Sequence, residues 1–205
     1  MGLTDDAFEP LRRALAGLAR RRARDTAGRA RAAVLVPLFA GSEGLEVVLI
    51  RRPETLRAHA GQVACPGGKI DGEESELQAA LRETREELGI DPARVEPLGA
   101  LHDLDTSTGF VITPWVGRLD PAALESLRPD PAEVARVFTV PLAALADPER
   151  GKLEIRPWNV VGRQWDVPYF HWEGEVIWGA TGRLLLDLLE LLWPEKQLSL
   201  RRPLP

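Results

Sequence analysis

The 205-residue chain is poor in several residue types, and each shortage closes off a class of protein. With Cys65 as the only cysteine, no disulfide framework can form within the chain, and a reducing compartment, the cytoplasm, is expected. No apolar run is long enough to cross a bilayer, and the first ten residues carry Asp5, Asp6 and Glu9 where a signal peptide needs positive charge. Neither a membrane nor an export route is therefore expected. Lysine is scarce, 3 residues against 23 arginines, and the formal net charge of −5 argues against nucleic acid as a partner. Arginines do cluster from Arg12 to Arg31, in a stretch whose Phe8, Leu11, Leu15 and Leu18 repeat at helical spacing. A solvated helix face is the expectation there.

What the chain does have is enough apolar residue, 44%, for one sizeable core. A single domain spanning residues 1–205 is expected, with an N-terminal helical extension (1–30) and a frayed, proline-rich tail (200–205). Apolar runs at Ala32–Phe39 and Leu45–Ile50, parted by Gly41, Ser42 and Gly44, predict a β-hairpin. Further strands are expected at Glu96–Leu101, Phe110–Leu119, Val134–Val140, Val167–Trp172 and Glu175–Trp178. An apolar helix is expected at Thr181–Leu192, able to pack on the core or on a second copy in a homodimer. Helices around an interrupted, largely antiparallel sheet imply an α/β layered sandwich of the α+β kind.

The chemistry is concentrated between Gly68 and Ile90. Ser75 with Gln78 forms a capping box, and Gly89 stands where a left-handed residue closes a helix. Leu77, Leu81 and Leu88, with Ala80 and Thr84 beside them, predict the face that packs on the sheet. Glu83, Glu86 and Glu87 then fall within an arc of about 100° on the other side. Like charges at this spacing cost a few tenths of a kcal/mol per pair, and the helix dipole disfavours anions in its last turn. Clustered carboxylates are, however, what a hard divalent cation requires, so Mg²⁺ or Mn²⁺ is the expected cofactor. Seven positions (Gly68, Glu74, Arg82, Glu83, Glu86, Glu87, Gly89) fit one fixed spacing. At about 7% per position, chance would supply that roughly once in 10⁸ starting points.

Residues 68–90 match G-x5-E-x7-R-E-U-x-E-E-x-G-U, with U a bulky aliphatic, and so resemble the Nudix box. Thr84, at an aliphatic position, is the one departure. The resemblance implies a Nudix α/β/α sandwich and hydrolysis of a nucleoside diphosphate linked to another group. It implies that Glu83, Glu86 and Glu87, with the Gly68 carbonyl, hold the metal, and that Arg82 and Glu74 support them. For the base that activates water it leaves Glu83 first, with Glu133, Asp103 or Asp105 on later loops as alternatives.

The segment from Val48 to Gly68, with Arg52, Leu56-Arg57, Gly61 and Pro66-Gly67-Gly68, resembles the signature of coenzyme A pyrophosphatases. It departs from that signature at Ile50, Pro53 and Cys65. Thr108–Pro114 and Val176–Thr181 share the resemblance. Arg52, Arg57, His59 and Gly67 become candidate substrate contacts, because guanidinium forks suit phosphate, and Trp158, Trp165 or Trp172 could stack on adenine. ADP-ribose, NADH and nucleoside triphosphates are alternative substrates, and a nucleotide-sensing module without catalysis is the alternative of another class.

Overall fold

The structure is a computed structural model and describes residues 6–23, 28–160 and 163–198. The expected tail at 200–205 and part of the expected N-terminal extension lie outside these.

The predicted hairpin forms: β1 (Ala30–Gly41) pairs antiparallel with β2 (Gly44–Arg51), the pairing ending at Gly41 opposite Gly44. It lies in the larger sheet. β2 also pairs with β3 (Val63–Ala64) and β8 (Arg136–Pro141), and β1 with β4 (Gly67–Lys69). On its other side β1 meets β7 (Phe110–Leu119), which in turn pairs with β5 (Val95–Ala100) and β6 (Leu104–Asp105). The β1–β7 pairing is parallel, the others antiparallel, so the mixed, largely antiparallel sheet expected from the sequence is what forms. A second sheet is built from β9 (Glu154–Val160), β10 (Arg163–Trp172) and β11 (Glu175–Ile177).

Strand alternation divides the core in two. Val48 and Ile50 face α2 (Glu76–Leu88) with Ala33, Leu35, Ala80 and Leu88. Val47 and Leu49 face the opposite layer, formed by α1 (Glu9–Ala16), the second sheet and the C-terminal helix Gly179–Leu192. Short helices α3 (Pro121–Glu125), α4 (Leu142–Leu145) and α5 (Pro148–Gly151) fill the connections, which makes the C-terminal helix α6. None of the described helices is long and apolar enough to cross a membrane.

One expectation needs correction. The basic N-terminal stretch is not one helix: α1 closes at Gly17, a residue of low helix propensity, although Leu18 beyond it still packs on the core, and the chain then runs irregularly. Arg20 turns inward rather than to solvent, bonding Asp103 at 2.6 Å and Thr113 at 3.3 Å. Of the two packings open to α6, the one on this chain's own core is present: Leu184, Leu185, Leu188 and Leu189 are buried beside Phe170 and Ile177.

Candidate active site

Helix α2 is framed as its sequence predicts. The Ser75 hydroxyl accepts the Gln78 N–H at 3.3 Å, and the Gln78 carboxamide accepts the Ser75 N–H at 2.8 Å. Gly89 adopts φ 72° and donates its N–H to the Arg85 carbonyl. The helix is nevertheless rolled from the expected orientation. Its buried stripe is Ala79, Ala80, Thr84, Glu87 and Leu88, while Leu77 and Leu81 are only partly covered. Small side chains let the helix approach β1 and β4 closely, and Thr84 fits because its hydroxyl donates to the Ala80 carbonyl at 2.7 Å. The three glutamates therefore do not share one solvent-facing side. Their side chains are graded in exposure: Glu86 57%, Glu83 17% and Glu87 1%.

The floor beneath them is the turn of glycines in β4. Gly67 has φ 150° and donates its N–H to Glu87 Oε2 at 2.9 Å, while Arg52 Nη1 donates to Glu87 Oε1 at 3.2 Å. Burial nonetheless dominates and raises the Glu87 carboxyl to a pKa of about 7, helped by the charges of Glu133 and Glu83. Glu83 lies against Gly68 so tightly that a Cβ there would stand 2.5 Å from its carboxylate carbon. Its pKa is also raised, first by burial and then by Glu86 and Glu133, against the pull of Arg82.

Arg82 organises the rest. Its Nε and Nη2 grip both oxygens of Glu74 at 3.1 and 2.8 Å, and Nη2 also reaches the Lys69 carbonyl at 3.0 Å. Nη1 bridges Glu83 Oε1 and Glu86 Oε2, each at 2.9 Å. Arg82 holds Glu74 ionised well below the usual carboxylate range, helped by the Asp71 N–H. The loop and the helix are thus locked by charge-assisted bonds.

A second loop closes the far end of α2. The Arg128 and Asp130 N–H groups cap the Leu88 and Glu87 carbonyls at 2.8 and 2.9 Å, and the Ala135 N–H bonds the Arg51 carbonyl at 2.8 Å. Glu133 sits between these anchors, exposed, near enough for its charge to raise both Glu83 and Glu87. The other later carboxylates are committed elsewhere: Asp103 to Arg20, Thr113 and the Ala23 N–H, and Asp105 to Arg29 at 2.7 Å.

The structure brings Arg52 and Gly67 directly onto Glu87 but leaves Arg57 exposed. His59, also exposed, has φ 56° and is hydrogen-bonded through Nδ1 to Gln62 at 2.8 Å. Trp158 is 41% exposed and stacks on Trp178, Trp172 packs against the core under Arg150, and the Trp165 side chain lies outside the described set.

A family model described as the NUDIX domain matches residues 29–161. A protein of Photorhabdus laumondii subsp. laumondii named "Uncharacterized Nudix hydrolase NudL" is 40% identical over 161 residues, 78% of this chain and 83% of its own length. The chain belongs to the Nudix hydrolase family. A second NudL, from Cronobacter sakazakii, is 40% identical over 168 residues, 80% of this Nudix hydrolase and 84% of that protein. Among solved structures, a Nudix hydrolase from M. smegmatis, RenU, aligns with a TM-score of 0.48 at 22% identity, covering 58% of this chain and 74% of its own.

Nudix hydrolases generally need a divalent ion such as Mg²⁺ or Mn²⁺. Among the described residues no three His, Cys, Asp or Glu side chains close on one point as they stand. Guanidinium groups divide them, Arg52 taking Glu87 and Arg82 taking Glu83 and Glu86. The donor set of this Nudix hydrolase still fits a hard cation. The candidate ligand atoms are all carboxylate or carbonyl oxygen, and a positive group, Arg82 Nη1, already stands between those of Glu83 and Glu86. At Gly68 the missing Cβ leaves the space that the Glu83 carboxylate fills.

Proposed function

We propose that this Nudix hydrolase splits the diphosphate link of coenzyme A, or of its acyl or oxidised forms, giving 3′-phosphoadenosine 5′-phosphate and 4′-phosphopantetheine. The observation that carries the reading is the meeting of Arg52 with Glu87 at the Gly67 N–H. An arginine from the coenzyme A-type signature thereby stands 3.2 Å from a box carboxylate, where the phosphates of a diphosphate and a metal ion would have to meet.

In this reading Glu83, Glu86, Glu87 and the Gly68 carbonyl hold Mg²⁺ or Mn²⁺. When bound, the ion neutralises charge on the diphosphate and acidifies water. Arg52 releases Glu87 and turns its fork to a phosphate, with Arg57 and His59 as further contacts at the rim. Arg82 and Glu74 keep the glycine loop fixed against α2 while this happens. The water's proton would go to Glu83 or to Glu133, whose charge is felt at the Glu83 carboxyl.

Incubation with coenzyme A, ADP-ribose, NADH and nucleoside triphosphates, each with Mg²⁺, Mn²⁺ or EDTA, tests the proposal. Metal-dependent cleavage of coenzyme A at the highest kcat/KM is expected. A preference for ADP-ribose or triphosphates would retire coenzyme A as substrate, and absence of turnover with every nucleotide would point to a sensing module.

The raised Glu87 predicts a pH dependence with a definite sign. Between pH 4.5 and about 7 the folded protein keeps a proton on Glu87 that the unfolded chain has released. Stability contributed by this group is therefore fully present below pH 4.5 and is lost as pH rises through about 7. Denaturation in EDTA at pH 5 and pH 8 should show wild type losing about 2–3 kcal/mol relative to the Glu87→Gln variant. Metal affinity should run the other way, strengthening over the same window as the ligand ionises.

A further inference from the structure

The second sheet touches the catalytic sheet where β2 and β8 end, and one buried carboxylate makes the junction. Arg51 and Arg136 are direct cross-strand partners on β2 and β8, so two guanidinium groups lie side by side on one face, an unfavourable pairing when left alone. Glu175, the first residue of β11, reaches across to both. Its side chain is 7% exposed and accepts from Arg136 Nη1 at 3.0 Å, with Arg51 Nη1 at 3.5 Å from each of its oxygens. Arg51 is further held by Glu54 at 3.0 Å.

Two features of the backbone carry this junction through the sheet to the site on its other face. Arg52, the next residue after Arg51, points to the α2 side and holds Glu87, while its own N–H is fixed to the Gln62 carbonyl at 3.0 Å. The Arg51 carbonyl receives the Ala135 N–H, and Glu133 is two residues upstream of that bond. Moving the ends of β2 and β8 apart would shift Arg52 and Glu133 together, although Glu175 touches neither.

We infer that Glu175 is a positioning residue for the diphosphate site: by neutralising Arg51 and Arg136 it holds the ends of β2 and β8 together, and with them Arg52 and Glu133. The inference rests on the Nudix site described above but not on the identity of the substrate, so it is measured on whichever nucleotide of the panel the wild type turns over best. That choice keeps its failure distinct from failure of the coenzyme A reading.

Glu175→Gln preserves shape while removing the charge. With metal at saturation, kcat should fall about ten- to hundredfold, the scale of a displacement near 1 Å in a site, and KM should stay within about twofold. Arg136→Gln alone leaves Arg51 facing Glu175, so its kcat should stay within about threefold of wild type. The double variant Glu175→Gln/Arg136→Gln leaves no facing pair of arginines and should recover most of the lost kcat. Folded fraction is checked for each by circular dichroism. If Glu175→Gln does not fold, Glu175→Asp keeps the charge but withdraws it by one methylene, and a three- to tenfold fall in kcat at unchanged KM is expected. A folded Glu175→Gln, or in its place Glu175→Asp, with wild-type kcat overturns the inference. So does a fall in kcat that removal of Arg136 does not reverse.

Discussion

Exchanging Glu87 for glutamine is expected to lower kcat by about a thousandfold in saturating Mg²⁺ or Mn²⁺, while making the metal-free protein more stable at pH 8. The two effects have one cause. Glu87 is a carboxylate at 1% side-chain exposure whose pKa is raised to about 7, so at pH 8 the fold must hold a charge that burial disfavours. Glutamine keeps the size, and its one carbonyl can still accept from the Gly67 N–H, at the cost of turning its amide nitrogen toward Arg52. The rise from 4.5 to about 7 then sets an upper gain near 3 kcal/mol, of which about 1–3 should appear in urea denaturation with EDTA. Catalysis loses what stability gains, because a neutral amide is a poor ligand for a hard cation and removing one electrostatic contact to a developing charge costs about 10²–10³ in rate. Near-normal kcat in the folded variant would take Glu87 off the list of ligands. A variant less stable than wild type would show that the Arg52 pair outweighs the burial of the charge.

That conflict between fold and function explains which parts of the site could be read from the sequence. The spacing of Gly68, Glu74, Arg82 and the three glutamates was legible because each position is tied to a local geometry: a cap, a turn or a helical repeat. The roll of α2 was not. A stripe of leucines is the stronger hydrophobic signal, yet Ala79, Ala80 and Thr84 form the contact because only small residues allow β1 and β4 to come close enough for Glu87 to reach Gly67. The parallel β1–β7 pairing was hidden for a similar reason. Neither strand carries a mark of its partner, and the register is set by contacts among residues 80 positions apart. Strand β9 and the contacts of Glu175 with Arg51 and Arg136 were missed altogether. Glu175 looks like any acid beside a Glu-Gly turn, and only the tertiary fold shows two arginines waiting opposite it. Arg20, by contrast, sits in a run of three arginines that advertises a solvated surface, whereas its partner Asp103 is 83 residues away.

The glycine pair of β4 should separate fold from chemistry within two adjacent residues. At Gly67, φ is 150° and a Cβ would lie 2.4 Å from the Ala33 carbonyl oxygen and 2.5 Å from the Val34 Cα, both backbone atoms of β1. Neither can move without parting the β1–β4 pairing at Val34 and Gly67. Gly67→Ala is therefore expected to cost about 3–5 kcal/mol, combining overpacking with a strained φ, and to abolish activity along with the fold of the loop. At Gly68 φ is unexceptional, and the nearest obstacle is the Glu83 carboxylate, the far end of a flexible side chain. Gly68→Ala should thus lose no more than about 1 kcal/mol, because Glu83 can swing aside. Turnover should fall at least about a hundredfold, since the swing takes Glu83 out of register with the Gly68 carbonyl and with Arg82. Thermal denaturation and kcat measured on both variants decide the matter. Equal stability losses at the two positions would mean that Glu83 is fixed rather than movable, and full activity in Gly68→Ala would mean that its carboxylate need not lie where the missing Cβ leaves room.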